Sequence, residues 1–284
     1  MKSRIFCIFV NISSHNELFL YKNNDFLNKD TIDAIVNYFD NGDIRERLVS
    51  PKSESVRRER LSAYSALLYL TEQIYGVLPK ISFESEKPKF SEELILPGKG
   101  SRIPRFNISH SSTLALICLS DGCSVGCDIQ VGFSLDRAKR IGERLINERA
   151  DLLSPSLPLI PDLGKSDDNE LFRDFEIVHG YFNSTDGVLV PLDSKRRTPL
   201  QFFDSAAEFS QRYGIEKNGF DASAVLKSWC TLESILKCIG GGFGSLSVLR
   251  DSVGSITTLG SYLDYNGLGY YASVSASPLE GQKR

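Results

Sequence analysis

The chain has 284 residues, 41% of them hydrophobic and 24% charged, with a formal net charge of -3. This composition can bury a substantial core in one large domain or two smaller ones, and the weak net charge, with no run of five or six like charges, speaks against nucleic acid or a membrane surface as partner. The six cysteines form no C-x-x-C pair, and with only His15, His110 and His179 beside them they predict buried reduced thiols rather than disulfides or a zinc site.

In chain order, Ile5 to Val10 is too short for a secretory h-region and runs into Asn11 and Ser13-Ser14, so it predicts a first β-strand and a cytoplasmic protein. From about Glu54 to Tyr75, Leu61, Tyr64, Leu67, Leu68 and Ile74 recur near helical spacing, with Gly76 where a stop belongs and Pro79 just beyond. Strand-like segments follow at Lys80 to Ser85, Arg105 to Ser109 and Leu114 to Ser120, the last closed by Asp121-Gly122. Val125 to Val131 reads as a strand. Ser134 to Asp151 reads as an amphipathic helix, with Ser134 as N-cap and Leu135, Ala138, Ile141, Leu145 and Ile146 on one side. From Leu152 to Phe220 the pattern weakens. Pro155, Pro158, Pro161 and Gly164 to Asp168 predict a loop, Phe172 to Tyr181 and Gly187 to Val190 strands, and a short helix is expected within Leu200 to Tyr213. A helix from about Ala222 to Ile239 ends at Gly240-Gly241-Gly242, and strand-like Ser245 to Arg250, Ser255 to Tyr265 and Gly269 to Ala276 close the chain. Helix followed by three strands occurs twice. The expectation is an α+β fold of two similar halves, residues 1–121 and 122–284, the second carrying an insertion at about 152–220.

Three strings concentrate the chemistry: Phe106-Asn107-Ile108-Ser109-His110-Ser111, Gly126-Cys127-Asp128-Ile129, and Trp229 through Glu233 to Lys237. They offer a polar cluster suited to phosphate, two carboxylates able to share a hard cation, and an ammonium one helical turn from one of them, a set that suits phosphoryl transfer. Each residue also has a plainer reading. A strand-end aspartate such as Asp128 is usually a turn or cap residue. Glu233 and Lys237, four apart on a helix, would as a surface pair contribute only ~0.3–0.5 kcal/mol. A lone histidine such as His110 is often a satisfied structural residue, and Arg57, Arg58 and Arg60 at a helix start can form a solvated face.

These strings, in this order, resemble the 4′-phosphopantetheinyl transferase superfamily in its larger, internally duplicated type. Lys87-Pro88 is similar to that family's Gly-Lys-Pro element, with Glu86 where glycine is usual. The resemblance covers about Val56 to Gly242 and, through topology, the C-terminal strands. It implies two pseudo-twofold-related halves, each a small, mostly antiparallel sheet on a long helix, with coenzyme A in the cleft between them and a monomeric protein. The implied reaction moves the 4′-phosphopantetheine arm of coenzyme A to a serine of an apo acyl or peptidyl carrier protein, releases 3′,5′-ADP and requires Mg2+, with Mn2+ an acceptable substitute. On this resemblance Asp128, Gln130 and Glu233 hold the metal, and Glu233 also serves as base for the incoming serine. Lys237 stabilises charge or acts as acid at the leaving phosphate, Ser109 and His110 bind phosphate, and Arg57, Arg60 and Lys87 surround the 3′-phosphate. Two positions depart from the family. Leu232 stands where a lysine is usual, and Gln130 replaces the second acid of Asp-x-Glu, bringing a carbonyl ligand without charge. The departures keep a second reading open, a degenerate relative that binds coenzyme A or a carrier without efficient transfer. Fatty acid, polyketide and nonribosomal peptide carriers all present the same serine, so the pathway stays open.

Overall fold

Strand β1 (Ser3–Asn11) alternates its side chains between two apolar surroundings, and that alternation organises the molecule. Ile5, Cys7 and Phe9 enter one core cluster, while Phe6, Ile8 and Val10 enter another. The computed structural model describes residues 3–12, 33, 36, 48, 50, 53–77, 80–82, 88–91, 94–96, 100–147, 175–183, 188–191, 199–213, 216–217, 220–241 and 256–278. Over these residues the chain is a mixed α+β protein.

Helix α1 (Glu54–Tyr75) stops at Gly76, whose φ of 74° lets its N–H reach the Glu72 carbonyl at 2.7 Å. Two short ladders follow, β2 (Ile81–Ser82) with β3 (Lys89–Phe90) and β4 (Leu94–Leu96) with β5 (Gly100–Arg102). Strands β6 (Arg105–Ser111) and β7 (Leu114–Ser120) form a hairpin, and β7 pairs antiparallel with β1. Strand β8 (Cys123–Val131) leaves that sheet and leads into α2 (Leu135–Asn147). The chain then returns: β9 (Phe175–Asn183) pairs parallel with β1, and β10 (Val188–Pro191) pairs with β9. Next come β11 (Leu200–Phe202), α3 (Ala206–Tyr213), the β12 (Glu216–Lys217) and β13 (Phe220–Asp221) ladder, and α4 (Ala222–Cys238), which Asp221 caps by accepting from Ser223 N at 2.8 Å. Strands β14 (Thr257–Tyr265) and β15 (Leu268–Pro278) close the second sheet through a two-residue Asn266-Gly267 turn, both with positive φ.

The first sheet has the order β10-β9-β1-β7-β6 and the second β11-β14-β15-β8. Their inner faces meet, with Cys7, Phe9 and Leu116 in one cluster with Cys127, Leu263 and Val274. On the outer face of the first sheet α1 packs Leu61, Leu67 and Leu70 in the cluster that holds Ile8, Val10 and Ile117. On the outer face of the second lies α4, flanked by α2 and α3. All seven residues of β7 are buried, as its uninterrupted apolar run requires of a strand covered on both faces. All six cysteines are buried and free. Among the described residues no helix is long and apolar enough to cross a membrane.

The stretch from Leu200 to Tyr213 holds the short helix expected within it, α3, which begins only at Ala206, because Leu200 and Phe202 before it pair with Tyr265 and Leu263 as β11 and Phe203 N bonds to Tyr262 O at 3.0 Å. The segment expected as an insertion at about 152–220 contributes, where described, β9 and β10 to the first sheet and β11 to the second. The expected strand Ser245 to Arg250, the 152–168 loop and the end of the 134–151 helix lie outside the described residues.

Candidate functional site

At one place the two sheets meet edge to edge, β6 against β8, and side chains rather than a backbone ladder join them. Asn107, Ser109 and Ser111 alternate with Phe106, Ile108 and His110, so the polar three share the face away from α1. Asn107 Oδ1 accepts from Cys127 N at 3.2 Å, and Ser111 Oγ accepts from Val131 N at 3.0 Å and from Gln130 Nε2 at 2.9 Å. Between these two clasps Ser109 Oγ donates to Asp128 Oδ1 at 2.7 Å.

Helix α4 crosses β8 at very close range. A Cβ built on Gly126 would collide with Ser234 O and Cys238 N of the helix backbone and lie 2.9 Å from Cys238 Cα, so only glycine allows this approach. Ser234 Oγ meets Ser273 Oγ at 2.9 Å and Ser275 Oγ at 2.8 Å, filling the narrow seam with small, mutually satisfied hydroxyls. The approach delivers Lys237 Nζ to three oxygens: Asp128 Oδ1 at 2.7 Å, Cys127 O at 3.1 Å and Ser109 Oγ at 3.3 Å. Burial, the largest single influence, would lower the Lys237 pKa, but Asp128, Cys127 and Glu233 together outweigh it and the amine ends above its ordinary value, firmly cationic. Asp128 is 6% exposed, and its second oxygen, Oδ2, is buried without a hydrogen-bond partner.

Glu233, half-buried, lies one turn before Lys237 on α4, and its charge acts on both Lys237 and the Cys230 thiol. Burial, followed by Asp128, pushes that thiol well up, leaving it a neutral neighbour. His110 faces away from Ser109, toward α1, where with Arg60, Tyr64 and Ile108 it lines a cavity of about 330 Å3. Burial, Arg60 and Lys237 lower its pKa against the opposing pull of Asp128. Its Nδ1 lies 3.5 Å from Glu59 Oε2, a geometry that would be an ion pair only if the ring were protonated; since the ring is held neutral, we regard the contact as a weak polar one. Arg57 is half-buried on the first turn of α1, its Nε without a hydrogen-bond partner. Lys87 and the Arg58 side chain lie outside the described residues.

Of the residues singled out in the sequence, Ser109, Asp128 and Lys237 come into direct contact, Gln130 and Glu233 adjoin them, and His110 and Arg60 line the neighbouring cavity. Sequence reasoning named Gly126 in a string without its packing role and missed Ser273 and Ser275, and these three set the helix-to-sheet distance. A glycine inside a strand pattern and serines two apart on one strand face were the available signals.

The donor set suits a hard divalent cation. Asp128 Oδ2 is a buried carboxylate oxygen without a partner, Gln130 has its Nε2 engaged and its carbonyl oxygen left as a possible ligand, and Glu233 supplies a second carboxylate. Among the described residues no group of three or more His, Cys, Asp or Glu side chains is gathered to hold a metal ion. Position 232 is 2% exposed, in a cluster with Leu145, Ile235 and Leu236, so Leu232 is a packing residue between α4 and α2. No protein-family model matches the chain, and no curated protein matches it significantly.

Proposed function

We propose that this protein is a metal-dependent 4′-phosphopantetheinyl transferase, built as the two-halved α+β fold of that superfamily, that modifies a serine of an apo acyl or peptidyl carrier protein as a monomer. The observation that carries the proposal is the convergence of Ser109, Asp128 and Lys237, drawn from three distant strings, on a buried carboxylate with one oxygen left over. In this reading Arg60 and the neutral His110 meet nucleotide phosphates from the α1 side, Arg57 adds positive charge on the same helix, and the family resemblance gives Lys87 the same part. Asp128, Gln130 and Glu233 would hold Mg2+ or Mn2+, which when bound neutralises charge gathering on the pyrophosphate oxygens. Glu233 takes the proton of the carrier serine as its oxygen attacks the phosphorus bearing the pantetheine arm. The bond from that phosphorus to the bridging oxygen breaks, and 3′,5′-ADP departs with the electron pair.

A second reading, binding of coenzyme A or a carrier without efficient transfer, draws on Gln130, whose amide is tied to Ser111 and brings no negative charge. One experiment separates the two: purified protein is incubated with coenzyme A, Mg2+ and a panel of apo carriers, and intact carrier masses are read beside a Glu233→Ala control. The transferase reading expects a phosphopantetheine increment that the control loses. Coenzyme A binding with no increment on any carrier favours the second reading.

A further inference from the structure

The turn that joins β14 to β15 carries a chemistry separate from the candidate site. Asn266 and Gly267 are exposed, and both have positive φ, 52° and 79°. An asparagine followed by glycine can rearrange without an enzyme, because glycine has no side chain to shield its backbone nitrogen from the amide before it. The Gly267 nitrogen, once its proton is lost, attacks Asn266 Cγ. A carbon–nitrogen bond forms, the bond from Cγ to Nδ2 breaks, and Nδ2 leaves as ammonia, taking up that proton. Water then opens the five-membered imide to aspartate or isoaspartate.

In this turn the attacking nitrogen is held. Gly267 N donates to Asp264 Oδ1 at 3.0 Å, and Asp264 is buried. Its other oxygen accepts from the Tyr213 hydroxyl, and Arg212 Nη2 lies 3.2 Å from the same atom, so α3 fixes the carboxylate. Burial, then Asp264 itself, push the Tyr213 phenol up to about 12, which keeps it a donor in mildly alkaline solution. Burial, then Tyr181, push the Tyr265 phenol up as well, and a hydrogen bond from Asn266 opposes them, so the reacting amide also has a partner. A carboxylate that accepts the Gly267 N–H resists loss of its proton and repels the anion that attack requires.

We propose that Asn266 is a site of intramolecular deamidation, and that Asp264, fixed by Tyr213 and Arg212 of α3, guards it by holding the Gly267 N–H. What is guarded is register. Isoaspartate would add a methylene to the backbone of a two-residue turn, next to the pairing of Asp264 with Gly269. Gly269 O accepts from Gly132 N at 2.8 Å, and further along β15 Ser273 pairs with Asp128. The turn therefore leads directly into the strand that braces Asp128.

The test is peptide mapping by mass spectrometry on the full chain, kept for weeks in mildly alkaline buffer at body temperature. The sequence holds two other Asn-Gly pairs, Asn41-Gly42 and Asn218-Gly219, as comparators. In urea all three are expected to convert within about threefold of one another. In the folded chain Asn266 is expected to convert at least about tenfold more slowly than in urea, and Asp264→Ala to recover at least about tenfold of that rate. Since Asp264→Ala can loosen the whole hairpin, Tyr213→Phe, which removes one anchor of the carboxylate, is measured alongside. It is expected to raise the rate about threefold with amide exchange in β14 and β15 unchanged. Folded wild type that converts at the urea rate overturns the proposal. So does an Asp264→Ala rate that stays the same or falls, a fall marking Asp264 as a base that promotes the attack. A rise confined to variants whose β14 and β15 amides have lost protection overturns the guarding role, because an open hairpin reacts whatever holds Gly267.

Discussion

Helices α1 and α4 each lie on the outer face of a sheet, yet they sit there by different means. Leucines and alanines seat α1 against isoleucine and valine, an interface whose strength scales with buried apolar area and whose exact spacing matters little. The sheet-facing side of α4 is Cys230, Ser234 and Cys238 over Gly126, Ser273 and Ser275, and its larger apolar residues Leu232, Ile235 and Leu236 turn toward α2 instead. That seam gains less from burial but fixes the distance between helix and strand, and the distance is what puts Lys237 on Asp128. One helix chiefly stabilises the fold; the other chiefly places chemistry.

Truncation within the α1 interface should separate these roles most strongly. Leu67 is fully buried, and Leu67→Ala is expected to cost about 2–5 kcal/mol in urea denaturation while the proposed carrier modification, per folded molecule, remains near wild type. If activity falls in step with Leu67 truncation under conditions where the protein is still folded, α1 also places the site and the comparison breaks. The reverse pattern is expected at the seam. Gly126→Ala must displace α4, with a stability loss of about 1–3 kcal/mol. A shift of roughly 1 Å at Lys237 and Glu233 would lower the proposed transfer on the order of a hundredfold. An alanine variant that keeps wild-type rates would show that the helix can move without disturbing Asp128.

The division also explains what the sequence disclosed. The α1 stripe, the Gly76 stop and the β7 run were legible because apolar periodicity and a left-handed cap are local properties, and helix bounds at Glu54–Tyr75 coincide with the expected ones. The strings around Ser109, Asp128 and Lys237 were legible as chemistry, but not their contacts, since the ion pair spans 109 residues of chain. Nor could spacing say that β9 inserts parallel to β1, a long-range pairing decided by the register of buried faces. Ser109 and His110 illustrate the limit best. Adjacent in one polar string, they point to opposite sides of β6 because strand side chains alternate, so one joins the carboxylate and the other the α1 cavity.

His110 is also where the otherwise apolar α1 interface carries a titrating group, and it gives the smallest effect that still tests the comparison. Its ring is surrounded by Glu59 and Arg60 from α1, Asp128 from β8 and Lys237 from α4, and burial, then Arg60 and Lys237, hold its pKa below the ordinary histidine value. In the unfolded chain the ring titrates near about 6.5. As pH falls through that value the unfolded chain takes up a proton that the folded chain resists, so stability drops on acidification until the folded value is passed; above about pH 7 the group contributes nothing to the pH dependence. The raised Glu59 carboxyl acts in a lower window and with the opposite sign, losing stability as pH rises through its folded value. Thermal midpoints of wild type and His110→Gln should therefore differ by a constant amount above pH 7, with wild type losing ground below about 6.5. A difference that stays constant down to pH 5 would mean that the ring is not held neutral, and that the α1 side of β6 is as open to solvent and charge as the α4 seam is closed.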